Sequence, residues 1–104
     1  MLEFVDRIEQ YTRGVSEMDF QSDQLLIDAV ARNLELIGEA PSHVPDEIKS
    51  RYPNLPWSEM RGLRIILAHN YMGADASVLW KTAQEQLEPL RSQLLNIIHS
   101  EQQS

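Results

Sequence analysis

Residues 76–97, ASVLWKTAQEQLEPLRSQLLNI, decide the fold class. Apolar residues recur in this stretch at alternating steps of four and three: Ala76, Trp80, Ala83, Leu87, Leu90, Leu94 and Ile97. This heptad spacing predicts a helix with one continuous apolar face. Pro89 has no backbone N–H, so we expect a kink or short break around Glu88. Because the apolar face is short and contains a proline, it indicates the core of a helical bundle and not a free-standing coiled coil.

Glycine and proline residues divide the rest of the chain into further segments of helical length. We expect a first helix over 2–13, before Gly14, and a second over about 22–37. The apolar positions of both segments follow helical spacing. Gly38 and Pro41 are expected to end the second helix, as these residue types commonly do.

Two more segments complete the pattern. Pro45 is followed by two acidic residues, which is typical of a helix start and predicts a short helix that closes before Pro53. A longer helix is expected over about 56–70. The chain is therefore predicted to be all-α, a single domain over 1–104 with a polar tail from about residue 99. The expected architecture is an antiparallel bundle of four main helices plus one short helix.

Composition excludes several classes of protein. The chain has 104 residues, a length typical of one domain. Of these residues 42% are hydrophobic and 24% charged, as in ordinary globular proteins. No apolar run is long enough to cross a bilayer, and no basic segment precedes an apolar one at the start. We therefore expect a cytoplasmic protein that does not bind membranes. The absence of cysteine excludes disulfides, thiolate metal sites and cysteine nucleophiles.

Charge is unevenly distributed along the chain. The formal net charge is -7, and the acidic excess lies in residues 1–31 and 82–104, whereas residues 32–81 are neutral overall. Within this neutral part, Lys49, Arg51, Arg61 and Arg64 are opposed in residues 49–64 by Glu59 alone. An acidic protein is a poor general binder of duplex nucleic acid. It can still bind a single strand or one phosphate where its few basic residues converge.

The segment RIILAHNY, residues 64–71, is the best candidate for chemistry. It brings a guanidinium (Arg64), an imidazole (His69), an amide (Asn70) and a phenol (Tyr71) into eight residues. Arginine binds phosphate oxygens and histidine exchanges protons near neutral pH. In a straight helix, however, Arg64 and His69 lie roughly 140° apart around the axis. They can meet if the helix loosens at its end, if the arginine curls round it, or if a two-fold partner supplies its own copies.

The spacing of Arg64 and His69 alone fits a surface or capping role for His69 at least as well as a catalytic role. The other two histidines, His43 and His99, have neighbours that indicate only a solvated surface. A second, wider pattern adds to the first: Arg32-Asn-Leu-Glu-Leu-Ile-Gly-Glu-Ala40, Tyr52-Pro-Asn-Leu-Pro-Trp57, Gly62-Leu-Arg64-x-x-Leu-Ala-His69-x-Tyr71 and Val78-Leu-Trp80. These motifs, in this order, resemble the HepT-like family of minimal HEPN-domain proteins over roughly residues 2–98.

The resemblance implies a two-fold dimer of HEPN-like helical domains that cuts cellular RNA, including tRNA, without a metal or other cofactor. The family motif Arg-x4-His-x-Tyr maps onto Arg64, His69 and Tyr71. It also implies a partner, an MntA-type nucleotidyltransferase antitoxin that silences the toxin by transferring AMP to the motif tyrosine, here Tyr71. Proteins of this kind form the active site where the two copies meet.

We interpret His69 as the group that assists proton transfer and Arg64 as the group that stabilises charge on the phosphate. Tyr71 would position RNA, and Asn70, Glu39 and Arg61 would support the site. For Asn70 and Glu39 a simple surface or capping role describes the sequence equally well.

One residue departs from the family pattern. Family members usually carry a polar residue directly after the motif arginine, where this chain has Ile65. This departure leaves a second interpretation open, a catalytically weak or inactive helical protein that binds the nucleotidyltransferase and accepts AMP. A third interpretation is a helical dimer in which Arg64 and His69 serve packing alone.

Overall fold

In the parts that the structure describes, the chain folds into helices joined by short connections, and no strand is formed. The structure is a computed structural model; it describes the backbone of residues 1–70 and 76–103, and the side chains of residues 1–63 and 76–102. Its elements in chain order are α1 (Leu2–Thr12), α2 (Glu17–Gln21), α3 (Gln24–Glu39), a 3-10 helix (Ala40–His43), α4 (Asp46–Arg51), α5 (Trp57–Asn70), α6 (Ala76–Glu85) and α7 (Leu87–Gln103). The all-α prediction is confirmed.

The helix α3 is the centre of the bundle and packs against both α1 and α5. Asp23 caps its start: the Asp23 carboxylate accepts the backbone N–H of Leu26 at 3.1 Å and so satisfies one of the free donors of the first turn. The prediction that Gly38 ends this helix is wrong. Gly38 is buried inside the helix, which continues to Glu39 and passes directly into the 3-10 helix that contains Pro41.

The heptad positions of the last segment form the core, as predicted. Ala83, Leu87, Leu90 and Leu94 are buried in one cluster with the apolar faces of α1, α3 and α5. The segment is two helices, however, and the break lies at Gln86 and not at Glu88. Pro89 becomes the third residue of α7, where a proline is tolerated because a first-turn N–H lacks a helical partner anyway.

The short helix α2 was not expected from the sequence. The Ser16 hydroxyl caps it by accepting the Asp19 N–H at 3.1 Å, and two acidic residues in its first turn favour the helix dipole. Its one buried residue is Phe20, which lies 5.3 Å from the ring of Trp80 on α6, measured between ring centroids. The helix α2 therefore joins the N-terminal part of the bundle to α6.

Two polar contacts attach α7 to α1. Arg91 lies 2.8 Å from the Asp6 carboxylate and 3.6 Å from that of Glu9, both on α1. Burial and a hydrogen bond with Glu88 raise the pKa of Glu9, and Arg91 opposes this rise. Because the folded protein holds this proton more tightly, the contribution of Glu9 to stability falls as the pH rises through its pKa.

The expected polar tail is a continuation of α7, which runs to Gln103. Within it, Glu101 accepts hydrogen bonds from Arg51 of α4, at 3.0 Å, and from the Tyr52 hydroxyl. The described helices include none that is both long enough and apolar enough to cross a bilayer.

Candidate functional site

The helix α5 carries the candidate site, and its start is fixed by two hydrogen bonds. The Pro56 carbonyl accepts the backbone N–H of Met60 at 3.0 Å, so the proline directly precedes the first turn. The Trp57 indole N–H donates to the Tyr52 carbonyl at 3.0 Å. Met60 and Leu63 are buried against the core. The register of α5 on the bundle is therefore set before the motif begins.

The motif positions Arg64, His69 and Asn70 lie within α5, as the sequence predicts. The side chains of these three residues, that of Ile65, and the whole of Tyr71 lie outside the described residues. The backbone is helical through Asn70, so the helix does not loosen before His69. Two of the expected arrangements stay predictions: the long arginine side chain reaches round the helix, or a second copy of the chain supplies the other group.

The elements beside α5 carry the first supporting candidate. Both α3 and the 3-10 helix pack against α5. Glu39, half-buried, is the last residue of α3, and its carbonyl accepts the Ser42 hydroxyl at 2.7 Å. Glu39 thus lies on a helix next to the motif helix, and its role as an orienting group stays a prediction.

The cationic side chains around α5 differ in their availability. Arg61 is exposed on α5 and makes no ion pair with a described residue. Arg51, by contrast, lies 3.0 Å from Glu101 and 4.0 Å from Glu47, so its charge is compensated. Of the basic residues that the sequence groups with Arg64, Arg51 is paired with a carboxylate, whereas Arg61 has no such pair among the described residues. The sequence offered no signal for the pairing of Arg51 with Glu101, which joins residues fifty positions apart.

Gly62 stands one turn into α5, and a Cβ atom built there meets nothing within 4 Å. Because glycine costs a helix about 0.5–1 kcal/mol relative to alanine, we expect Gly62→Ala to raise the free energy of unfolding by about that amount. Chemical denaturation followed by circular dichroism measures this change. A destabilised variant would show that another surface, such as a second copy, packs closely on Gly62.

Among the described residues, no group of three or more His, Asp or Glu side chains is arranged to hold a metal ion. The sequence places a guanidinium, an imidazole and an amide on α5, and a phenol follows at the next position. These groups are suited to binding a phosphate and moving a proton.

Comparisons with known proteins agree with this chemistry. The family model described as ribonuclease HepT-like matches residues 1–97. A "Probable ribonuclease HepT" of Thermococcus cleftensis is 42% identical over 89 residues, which cover 86% of this chain and 81% of that protein. A "Putative RNase" of Methanocaldococcus jannaschii is 34% identical over 94 residues, covering 90% and 86% of the two chains.

A longer relative shows that this domain also occurs as part of a larger protein. A "Gamma-glutamylcyclotransferase and putative RNase" of M. jannaschii is 36% identical over 98 residues, which cover 94% of this chain but only 44% of that protein. No solved structure matches the chain. The resemblance indicated by the motifs is confirmed, and with it the expected class of enzyme, a ribonuclease.

Proposed function

Because the chain belongs to the HepT-like ribonuclease family, we propose that it is the toxin of a toxin–antitoxin pair. The proposed toxin cuts cellular RNA, including tRNA, by a metal-independent reaction. The observation that carries the proposal is the occurrence of Arg64 and His69 on a single helix within a match that covers residues 1–97. The reaction takes place in the cytoplasm, where RNA of this kind is found.

The proposed reaction uses the RNA's own ribose as the nucleophile. The 2′-oxygen attacks the adjacent phosphorus, the bond from phosphorus to the 5′-oxygen breaks, and the products are a 2′,3′-cyclic phosphate and a free 5′-hydroxyl. His69 assists the transfer of the 2′-OH proton, and the leaving 5′-oxygen takes up a proton. Arg64 stabilises the negative charge that develops on the non-bridging oxygens. Tyr71 positions the RNA strand, and Asn70, Glu39 and Arg61 support these groups.

A two-fold dimer supports this mechanism better than a monomer. Arg64 and His69 stand roughly 140° apart on a helix that is regular through Asn70. Two copies that face each other across a two-fold axis would place the arginine of one beside the histidine of the other. The proposed active site therefore lies between two chains.

Cleavage of RNA in the presence of a chelator tests the proposal. Purified protein is incubated with total RNA and with tRNA in excess EDTA, and the ends of the products are identified. The expected products carry 2′,3′-cyclic phosphate and 5′-hydroxyl ends. Cleavage that stops with EDTA, or that leaves 5′-phosphate ends, contradicts the proposed reaction.

The proposed partner is a nucleotidyltransferase of the MntA type, and Tyr71 is its target. Addition of AMP to Tyr71 would introduce bulk and negative charge where an RNA backbone must bind, so we expect it to abolish cleavage. Intact-mass spectrometry after co-expression should show the added AMP on the wild-type chain and not on Tyr71→Phe. Modification that persists in Tyr71→Phe would place the acceptor elsewhere.

Ile65 favours a second candidate function, that of a catalytically inactive binding partner and AMP acceptor. An apolar residue beside Arg64 removes one group that commonly supports the active site. Under this alternative, expression without the nucleotidyltransferase is harmless, yet the two proteins bind tightly. Growth arrest that disappears with His69→Ala supports the ribonuclease instead.

A further inference from the structure

A cavity of about 320 Å³ lies outside the motif helix, between the connection from α4 to α5 and the middle of α7. Residues 51–55 form one wall, and Gln93, Asn96 and Ile97 form the other. The volume is at the lower end of the range for small-molecule sites, which corresponds to one ring system and not to a large ligand. None of these residues belongs to the Arg-x4-His-x-Tyr motif.

The polar lining of this cavity consists mainly of carboxamides. Asn54, Gln93 and Asn96 all line it. The Gln93 amide donates to the Asn54 carbonyl at 3.4 Å, which joins the two walls. The side-chain amides of Asn54 and Asn96 have no hydrogen-bond partner among the described residues. A carboxamide offers a donor and an acceptor side by side, and this pattern complements the edge of an unpaired nucleobase.

The apolar lining offers flat and aliphatic surfaces. Leu55 is buried, and Ile97 packs partly against the core. Tyr52 is held at both ends, because its hydroxyl donates to Glu101 and its carbonyl accepts the Trp57 indole N–H. The hydrogen bond to Glu101 also raises the pKa of the Tyr52 phenol. A fixed, neutral aromatic ring is a stacking surface that every base can use.

Charge distinguishes recognition of a base from recognition of a phosphate. Arg51 is the one ionisable group besides Tyr52 in the lining, and Glu101 accepts two hydrogen bonds from its guanidinium, at 3.0 and 3.3 Å. No uncompensated positive charge in the lining is therefore left for the RNA backbone. We propose that this cavity binds one unpaired base of the RNA substrate, and that Asn54, Gln93 and Asn96 set the preference for that base. This inference rests on the proposed ribonuclease function.

Binding of short oligonucleotides tests the inference separately from cleavage. The full-length, ¹⁵N-labelled protein is titrated with the four homopolymeric 2′-O-methyl pentanucleotides, which lack the 2′-OH that the proposed cleavage needs. We expect the side-chain amide resonances of Asn54, Gln93 and Asn96 to shift, and one base to bind better than the others. Salt should weaken this contact little, because no phosphate is neutralised in the cavity.

A pair of variants makes the test specific. Asn96→Ala is expected to weaken binding of the preferred oligonucleotide about three- to tenfold, as for one lost hydrogen bond, and to reduce the difference between bases. Gln10→Ala removes an exposed amide from α1, outside the cavity, and should change neither. Equal losses in both variants, or shifts confined to other residues, overturn the inference.

The outcomes also separate this inference from the proposed function. Base-selective binding that depends on Asn96, in a protein that cuts no RNA, retains the cavity and rejects the ribonuclease. Cleavage with a base preference that Asn96→Ala leaves unchanged retains the ribonuclease and rejects the cavity. A basic peptide is titrated in the same way. If it shifts the same three amide resonances and displaces no oligonucleotide, the cavity binds a protein partner and the inference is overturned.

Discussion

His69→Ala is expected to cut RNA about 10²- to 10⁴-fold more slowly than the wild-type protein, because general acid–base catalysis by a positioned side chain contributes that much. Arg64→Ala should lose about 10²- to 10³-fold through the charge that it no longer stabilises. Rates are measured with excess enzyme on one labelled RNA, in EDTA, so that chemistry and not product release is followed.

The chain supplies matched controls for this measurement. His43 ends the 3-10 helix and His99 lies on α7, and both side chains are exposed. His43→Ala and His99→Ala each remove one imidazole from the same protein, so their rates should stay within about twofold of wild type, as for surface substitutions. If His69→Ala matches these controls, His69 is not the proton-transfer group and the proposed mechanism fails.

A mixed-dimer experiment tests whether the active site is shared between two chains. When inactive Arg64→Ala and His69→Ala chains are mixed and allowed to exchange, a site shared between two copies regains one intact Arg64–His69 pair per heterodimer. Partial recovery of cleavage is therefore expected. No recovery, with exchange of subunits verified by mass spectrometry, would place both groups of each site on a single chain.

Most of the fold can be predicted from helical spacing, because each main helix needs one apolar stripe and this stripe is visible in the sequence. The positions Ala83, Leu87, Leu90 and Leu94 were predicted from spacing alone and are buried. Features that depend on a few local hydrogen bonds were harder to predict. The helix α2 has only five residues, and its Ser16 cap and single buried Phe20 are too short a pattern to show periodicity.

Glycine and proline predicted helix boundaries that lie within a few residues of those in the structure. Gly38 sits inside α3 because tertiary packing buries that turn of helix, which outweighs the intrinsic cost of glycine there. Pro89 interrupts the last segment at Gln86, three residues before the proline itself. A proline in a first turn requires the break to come before it, so the expected position around Glu88 was two residues late.

Contacts between distant parts of the chain could not be predicted at all. The motif placed Arg64 and His69 on one helix, but nothing in a single sequence shows that Arg51 is bound by Glu101 or that Gln93 meets Asn54. Such pairs depend on how helices lie against each other, and exposed polar residues carry no periodic signal. For this reason the sequence could group Lys49 or Arg51 with Arg61 and Arg64, whereas the structure places Arg51 in an ion pair with Glu101.

Phe20→Ala is expected to lower the free energy of unfolding by about 3–5 kcal/mol, the usual cost of truncating a buried phenylalanine. The side chain of Phe20 is fully buried, and its ring packs on Trp80, so the substitution leaves a cavity and removes the contact between α2 and α6. Domains of this size have only about 5–15 kcal/mol in total, and much of the variant should therefore unfold at moderate temperature. Met18→Ala, on the same short helix, is the control, because Met18 is 81% exposed and should change stability by less than about 0.5 kcal/mol. Both variants are unfolded with urea at one fixed protein concentration. Association between chains depends on concentration and would otherwise shift the apparent stability. If Phe20→Ala unfolds within about 1 kcal/mol of the Met18→Ala control, α2 does not belong to the core of the bundle.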